Sequence, residues 1–189
     1  GSFRTIVQLH ILGSMLSPIF KCGADRPVLV GCYALFMIVV ASYEASSRTK
    51  YTHDGQFTII VESLILSVGW VAMWAFGAIL KPKPMWNPRY LLPIVGMLLG
   101  NSINGISSTL DIITTSLVEK QSEVDLYLSF GADQYEAVSG IVVQAIQKGM
   151  TPKLNMMCVV GIVSIPGMMT GQILGGSSPM VAARYQAMI

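Results

Sequence analysis

With 189 residues, 52% of them hydrophobic and only 12% charged, and a mean hydropathy of +0.60, the chain is far more apolar than a soluble domain, in which about a quarter of residues are charged. That composition points to an integral membrane protein. The formal net charge of +2, from 12 basic and 10 acidic residues, is too balanced for a nucleic-acid surface, so lipid rather than nucleic acid is the expected environment.

Phe3 to Phe20 is the first candidate span. It is barely long enough to cross, and Gln8 and His10 within it must face protein or water. No basic leader or small-residue cleavage site marks a signal peptide, and a start at Gly1-Ser2 rather than Met reads as a fragment or a cloning remnant. After a short loop with Lys21, Asp25, Arg26 and Pro27, Val28 to Tyr43 forms the second span, and Glu44 to Gln56 a polar connection. The third span, Phe57 to Leu80, holds one ionisable residue, Glu62, near its start, where an interfacial carboxylate is the simplest reading. Trp70 and Trp74 share a face, and Lys81-Pro82-Lys83-Pro84 stops the helix.

Leu91 to Leu117 begins apolar and becomes polar. Gly96 and Gly100 make a GxxxG pair, and Asn101, Asn104, Ser108, Asp111 and Thr115 recur every three or four residues, which places them on one helical face. Lipid solvates such groups poorly, so this stripe must meet partner helices or line an aqueous path. Both readings remain open at this point.

Eight of the chain's 22 charged residues fall between Val118 and Lys153, a segment expected to lie outside the membrane core. Gly131-Ala132 breaks one helix there, and Asp133-Gln-Tyr-Glu136 has the capping-box pattern that starts the next. That second helix carries Ala137, Val138, Ile141, Val142, Ala145 and Ile146 on one side. Basic residues divide evenly between the two sides of the membrane, so charge does not fix orientation.

Thr151 and Pro152 read as a further helix start. From Leu154 to Gly175 no residue is charged, long enough to cross a bilayer. Pro166 is expected to break this helix and to free the carbonyl of Ile162, while Gly167, Gly171 and Gly175 leave one face nearly bare for close packing. Met180 to Ile189 looks helical but is too short to cross, as if the chain stopped inside another span. The expected fold is therefore an all-α, polytopic membrane bundle: one domain over residues 1–189, a partial chain with about five spans and the start of another, and 118–153 outside the membrane.

No enzyme site emerges. His10 and His53 fit no metal or triad spacing, and Cys22, Cys32 and Cys158 are scattered packing residues, expected to stay reduced. Met156, Met157, Met168 and Met169 could offer thioethers to a soft metal, but methionine is also a common filler of apolar helices. Which metal, if any, the chain meets is left open. The absence of any GxxxxGK[ST] means that the chain cannot bind ATP through a P-loop.

Several stretches resemble the FetB-type permease family, which includes bacterial iron-export permeases and plant aluminium-tolerance membrane proteins. They are Gly96-Met-Leu-Leu-Gly-Asn-Ser102, Leu128-Ser-Phe-Gly-Ala132, Thr151-Pro-Lys-Leu-Asn155, Val160-Gly-Ile-Val-Ser-Ile-Pro-Gly-Met-Met-Thr-Gly171 and Ala183-Arg-Tyr-Gln186, in order over the C-terminal half. The resemblance implies the permease subunit of an ABC-type transporter, a homodimer working with separate ATPase subunits that carry the ATP. It suggests metal-ion export, iron among the candidates, while the related plant proteins are associated with a nucleotide-sugar substrate, and the sequence does not choose between them; a bacterial inner membrane and a eukaryotic membrane both fit. It also implies that the helix ending in Leu128-Ser-Phe-Gly-Ala132 is an ATPase-coupling element, with Leu126, Leu128, Phe130, Gly131 and Ala132 at its centre and Glu123 and Asp125 beside them. Where the family reads Gly-Ala-Thr-Pro, this chain has Gly131-Ala132-Asp133-Gln134; Asp caps a helix as well as Thr, but adds negative charge. Expected transport-path residues are Asn101, Asn104, Ser108, Asp111, Ser164, Pro166, Gly167, Thr170 and Gly171. A non-transporting assembly or regulatory subunit and an ATP-independent secondary transporter stand as alternatives.

Overall fold

The computed structural model describes residues 2–22, 26–80 and 86–187. Helices α1 (Ser2–Cys22), α2 (Pro27–Ser47), α3 (Gln56–Trp74) and α4 (Pro88–Glu119) come first, and α3 continues as a π-helical stretch over Ala75–Leu80. Then follow α5 (Gln121–Ser129), α6 (Gln134–Val159), α7 (Gly167–Leu174) and α8 (Pro179–Gln186). No strand occurs among the described residues. Among the described residues, three helices are long and apolar enough to cross a membrane: α2, α3 with the start of its π-helical continuation, and α4; Thr5–Phe20 of α1 is shorter. The protein is a polytopic helical membrane protein.

Local sequence sets most helix ends. Pro27 and Pro88 sit in first turns, where their missing N–H groups are not needed, and the Asn87 side chain accepts a bond from the Arg89 N–H at 3.1 Å. The turn between α5 and α6 uses Gly131 at φ +88°, a left-handed conformation that glycine adopts without penalty. The expected capping box is present, with the Asp133 N–H donating to the Glu136 carboxylate at 3.1 Å. The Lys81 to Pro84 helix stop lies outside the described residues.

The core is a four-helix arrangement. Ile38, Ala41 and Ala45 of α2 meet Ile60, Leu64 and Val68 of α3 and Val95 and Leu99 of α4. Lipid tails are as apolar as leucine, so burial of greasy surface contributes little between such helices; close van der Waals packing holds them instead. Ala41 and Ala45, one turn apart on α2, let the backbones approach. Ser42, fully buried, satisfies its own hydroxyl on the Ile38 carbonyl at 2.8 Å. Val30 of α2 packs with Leu92 of α4 and Ile19 of α1, and Arg48, just past α2, reaches Asn104. Thus α2 and α4 run in the same direction.

Because α2 ends beside Asn104, the rest of α4, residues 105–119, projects roughly 22 Å further at 1.5 Å per residue. The 48–56 connection straps the base of this projection. There the Lys50 N–H donates to Asp111 Oδ1 at 2.9 Å, and buried Gln56 donates through Nε2 to Thr49 Oγ1 at 3.1 Å.

Helix α6 returns antiparallel along α4, burying Ala137, Ile141, Ala145 and Gly149. The crossing is tightest at Gly149, where a Cβ would lie 3.0 Å from Thr109 Cβ and 3.1 Å from its Cα. Two expectations change here. Thr151 and Pro152 do not start a helix; α6 runs through them, and the Thr151 hydroxyl donates backward to the Gln147 carbonyl at 2.6 Å rather than capping. Packing on α4 carries the helix past a local start signal.

Nor does the uncharged stretch form one membrane helix kinked at Pro166. Helix α6 stops at Val159, and residues 160–166 form a tight turn before α7 begins. The Val159 carbonyl accepts from the N–H groups of Ile162, Val163 and Ser164, Gly161 takes φ +83°, and Gly161 N–H donates to the Ser164 carbonyl at 3.0 Å. β-Branched Val159, Val160, Ile162, Val163 and Ile165 favour the helix weakly, and Pro166 disfavours helical geometry at Ile165. The break therefore falls several residues early, and the Ile162 carbonyl lies within a turn instead of inside a helix.

Candidate functional site

The polar stripe of α4 is the first part of the site, and its partners are cations and a backbone amide. Asn101 Oδ1 accepts from Lys153 Nζ at 2.8 Å, from α6. Asn104 Oδ1 accepts from Arg48 Nη1 at 3.0 Å, and Arg48 is itself paired with Glu44 at 3.0 Å. Asp111 holds the Lys50 amide. These three residues join α4 to α6 on one side and to the α2–α3 connection on the other, while Ser108 stays exposed. Interhelical bonding, one of the two readings of the stripe, occurs at Asn101, while Asn104 bonds Arg48 just past the end of α2.

Beside the stripe, α3, α4 and α6 enclose an open cavity of about 430 Å³ with Ile60, Gly105, Thr109, Gly149 and Lys153 among its walls. Glycines at 105 and 149 create the space, one by leaving a wall bare and the other by drawing α6 onto α4.

The α4–α5–α6 corner is the second part. Leu126, Leu128 and Phe130 are exposed, Phe130 at 83%; Ala132 is half-buried, and Asp125 is exposed. Glu123 pairs with Lys120 at 3.8 Å. Sequence reasoning missed Tyr127 and Tyr135, the latter 83% exposed. With Phe130 they are exposed aromatics at the projecting end of the molecule. An exposed aromatic on a corner helix has no signature apart from its neighbours, and Tyr135 lies within the Asp133–Glu136 capping-box pattern, which says nothing of its exposure.

The break and α7 are the third part. Ser164 is in the turn, Pro166 precedes α7, and Gly167, Thr170 and Gly171 lie on it. Thr170 bonds back to the Pro166 carbonyl at 3.2 Å. Among the described residues α7 packs mainly against α8, so the structure does not bring these residues onto the α4 stripe. No neighbour lies within 4 Å of a Cβ built on Gly167 or Gly171, and one on Gly175 would meet only its own helix. The bare face has no partner within the described chain. Ile162 and Val163 of the turn are 85% and 81% exposed, at the end of a helix that has already entered the bundle.

Other candidates stay apart. Glu62 is exposed on α3, Cys32 and Cys158 are free thiols, and Met156 and Met157 are exposed on the last turns of α6. No group of three or more His, Cys, Asp or Glu residues converges among the described residues.

A helical bundle with three apolar helices long enough to span, a polar stripe on α4 and a broken helix defines a polytopic helical membrane protein. The chain belongs to the UPF0014 family, an uncharacterised protein family whose profile matches residues 1–189. It is similar to the UPF0014 membrane protein YjkA of Bacillus subtilis, 34% identical over 100% of this chain and 73% of the relative. It is also 30% identical to the Probable iron export permease protein FetB of Escherichia coli, over 98% of this chain and 70% of that protein. A plant relative, Protein ALUMINUM SENSITIVE 3 of Arabidopsis thaliana, is 30% identical over 98% of this chain and 66% of its own length. No solved structure matches. The FetB-type resemblance of the C-terminal half therefore extends over the whole chain.

Proposed function

We propose that the chain is the membrane-spanning subunit of an ABC-type transporter, moving a small solute or metal ion with ATP hydrolysed on a separate subunit. The observation that carries this reading is the α4–α5–α6 corner. It stands beyond the ends of α2 and α3, presents Phe130, Tyr127, Tyr135 and Leu126 to solvent, and keeps Glu123 and Asp125 on the same short helix. Exposed aromatics of this kind are typical anchors for a partner's pocket. From the corner α6 leads without interruption to the break at 160–166. Force applied at the corner by an ATPase would thus reach the discontinuous helix through one rigid rod braced on α4. Broken helices at membrane depth are where transporters commonly hold and release substrate.

In this reading the path combines Asn101, Asn104, Ser108 and Asp111 of α4 with Ser164, Pro166, Gly167, Thr170 and Gly171 from the break. The bare Gly167/Gly171 face packs against a second copy, which also covers the turn, since irregular backbone at membrane depth needs protein or water around it. The names of the relatives support transport; the ATPase partner, the dimer and the path residues are this reading's own additions.

The test is co-expression with a candidate ATPase subunit. Wild-type chain should copurify with it and stimulate its hydrolysis, and Phe130→Asp should abolish both without changing thermal stability. Unimpaired copurification of Phe130→Asp, or solute flux in liposomes that needs no ATPase subunit, would refute it.

A further inference from the structure

The cavity between α3, α4 and α6 has an uneven chemistry. Its walls are Ile59 and Ile60 from α3, Ile106 and Leu110 from α4, and Ile146 and Met150 from α6, and they hold no carboxylate. One charged residue lines it, Lys153. That ammonium is half-buried and spends one of its three N–H donors on Asn101 Oδ1. Among the described residues the ion pairs are Arg48 with Glu44 and Lys120 with Glu123, so no carboxylate balances Lys153. A cation drawn partly out of water without a counter-ion is electrostatically incomplete. The same argument does not extend to Arg48, whose charge Glu44 already meets.

We propose that this cavity binds an amphipathic anion, its carboxylate or phosphate on Lys153 and its apolar portion along the isoleucine wall. The volume of about 430 Å³ falls within the range of small-ligand sites, roughly 300–1,000 Å³. The α6 residues lining it, from Ile146 to Lys153, span roughly 10 Å of helix, the length of a medium acyl chain. Gly105, with nothing within 4 Å of a built Cβ, leaves backbone on one wall against which the ligand can lie. A bare divalent cation is the wrong guest: it would meet an ammonium, and the side-chain oxygens in the lining are the two neutral hydroxyls of Ser63 and Thr109, with no carboxylate or thiolate. A free fatty-acid-like amphiphile and an anionic membrane lipid share the required chemistry.

The experiment uses the purified chain in phosphatidylcholine nanodiscs with two photolabels of equal length, a diazirine-tailed fatty acid and its neutral monoacylglycerol counterpart. The fatty acid should label α3 and α6, around Ile59 and Met150, in clear preference to the glyceride. Lys153→Gln should lower fatty-acid labelling about two- to fivefold, the scale of one partly exposed ion pair, while leaving glyceride labelling unchanged. Lys153→Arg should retain it, and Ile146→Trp, which fills the cavity, should suppress it. Competition by added phosphatidylglycerol would assign the ligand to the bilayer, and no competition to a free amphiphile. Equal labelling by the two probes in the wild-type protein, which requires no variant to fold, would overturn the proposal, as would labelling indifferent to Lys153→Gln. Because binding is read without ATP or transport, its failure leaves the permease reading standing.

Discussion

Gly149 is where a single methyl group should reveal how closely α6 lies on α4. In most helix interiors Gly→Ala stabilises by about 1 kcal/mol, because alanine loses less backbone entropy on folding. At Gly149 the added Cβ would sit 3.0 Å from Thr109 Cβ and 3.1 Å from Thr109 Cα. The nearest neighbour, Thr109 Oγ1, can turn away, but the Cα is backbone, so the two helices must also give by a few tenths of an ångström. Overpacking of that kind costs about 1–3 kcal/mol, which outweighs or cancels the propensity gain. Gly140 supplies the control: it is on the same helix with nothing within 4 Å of its built Cβ, so Gly140→Ala should keep the gain of about 1 kcal/mol. The two variants should thus differ by about 1–3 kcal/mol, or about 2–12 °C in Tm at the 2–4 °C per kcal/mol expected for a chain of this size. Thermal unfolding followed by circular dichroism in a fixed detergent reads the difference, and Thr109→Gly in the Gly149→Ala background should recover part of the loss. Equal Tm values for Gly149→Ala and Gly140→Ala would refute the close crossing and with it the rigid link from the corner to the break.

Asp111→Leu should remove the acceptor of the Lys50 amide at a cost of about 1–2 kcal/mol, and Asp111→Asn, which keeps Oδ1, should cost less; amide exchange at Lys50 should quicken only in the leucine variant. Gly161→Ala places a side chain at φ +83°, a penalty of about 1–2 kcal/mol, and should appear as faster proteolysis between α6 and α7 without loss of helix content. Asp133→Ala removes one arm of the capping box and should destabilise the start of α6 by about 0.5–2 kcal/mol, whereas Asp133→Thr, the residue of the family pattern, should be close to neutral by Tm.

How far the site could be read in advance varied with the range of the interactions involved. The α4 stripe was legible because a helical period of 3.6 places residues 101, 104, 108 and 111 on one face whatever surrounds them. Its partners were not. Lys153 is 52 residues from Asn101 and Arg48 is 56 from Asn104, separations over which local spacing carries no signal. The bare glycine face was visible as spacing, yet spacing carries no information about whether anything packs on it. Gly149, which makes the tight crossing, belongs to no GxxxG pair and drew no notice. The early end of α6 was missed for a different reason: a proline is a conspicuous breaker, and its prominence hid the weak helix preference of five β-branched residues before it.

The sequence by itself determined the membrane class, the all-α character, the capping box at Asp133 and the helix break at Gly131-Ala132, because each depends on composition or on residues within one or two turns of each other. Only the tertiary structure decided that α6 runs unbroken past Pro152, that cations meet the α4 stripe from two sides, and that an apolar cavity ends on an unbalanced lysine. These follow from which helix faces meet. In a bilayer, where hydrophobicity does not distinguish one apolar face from another, close packing and a few long-range hydrogen bonds make that choice.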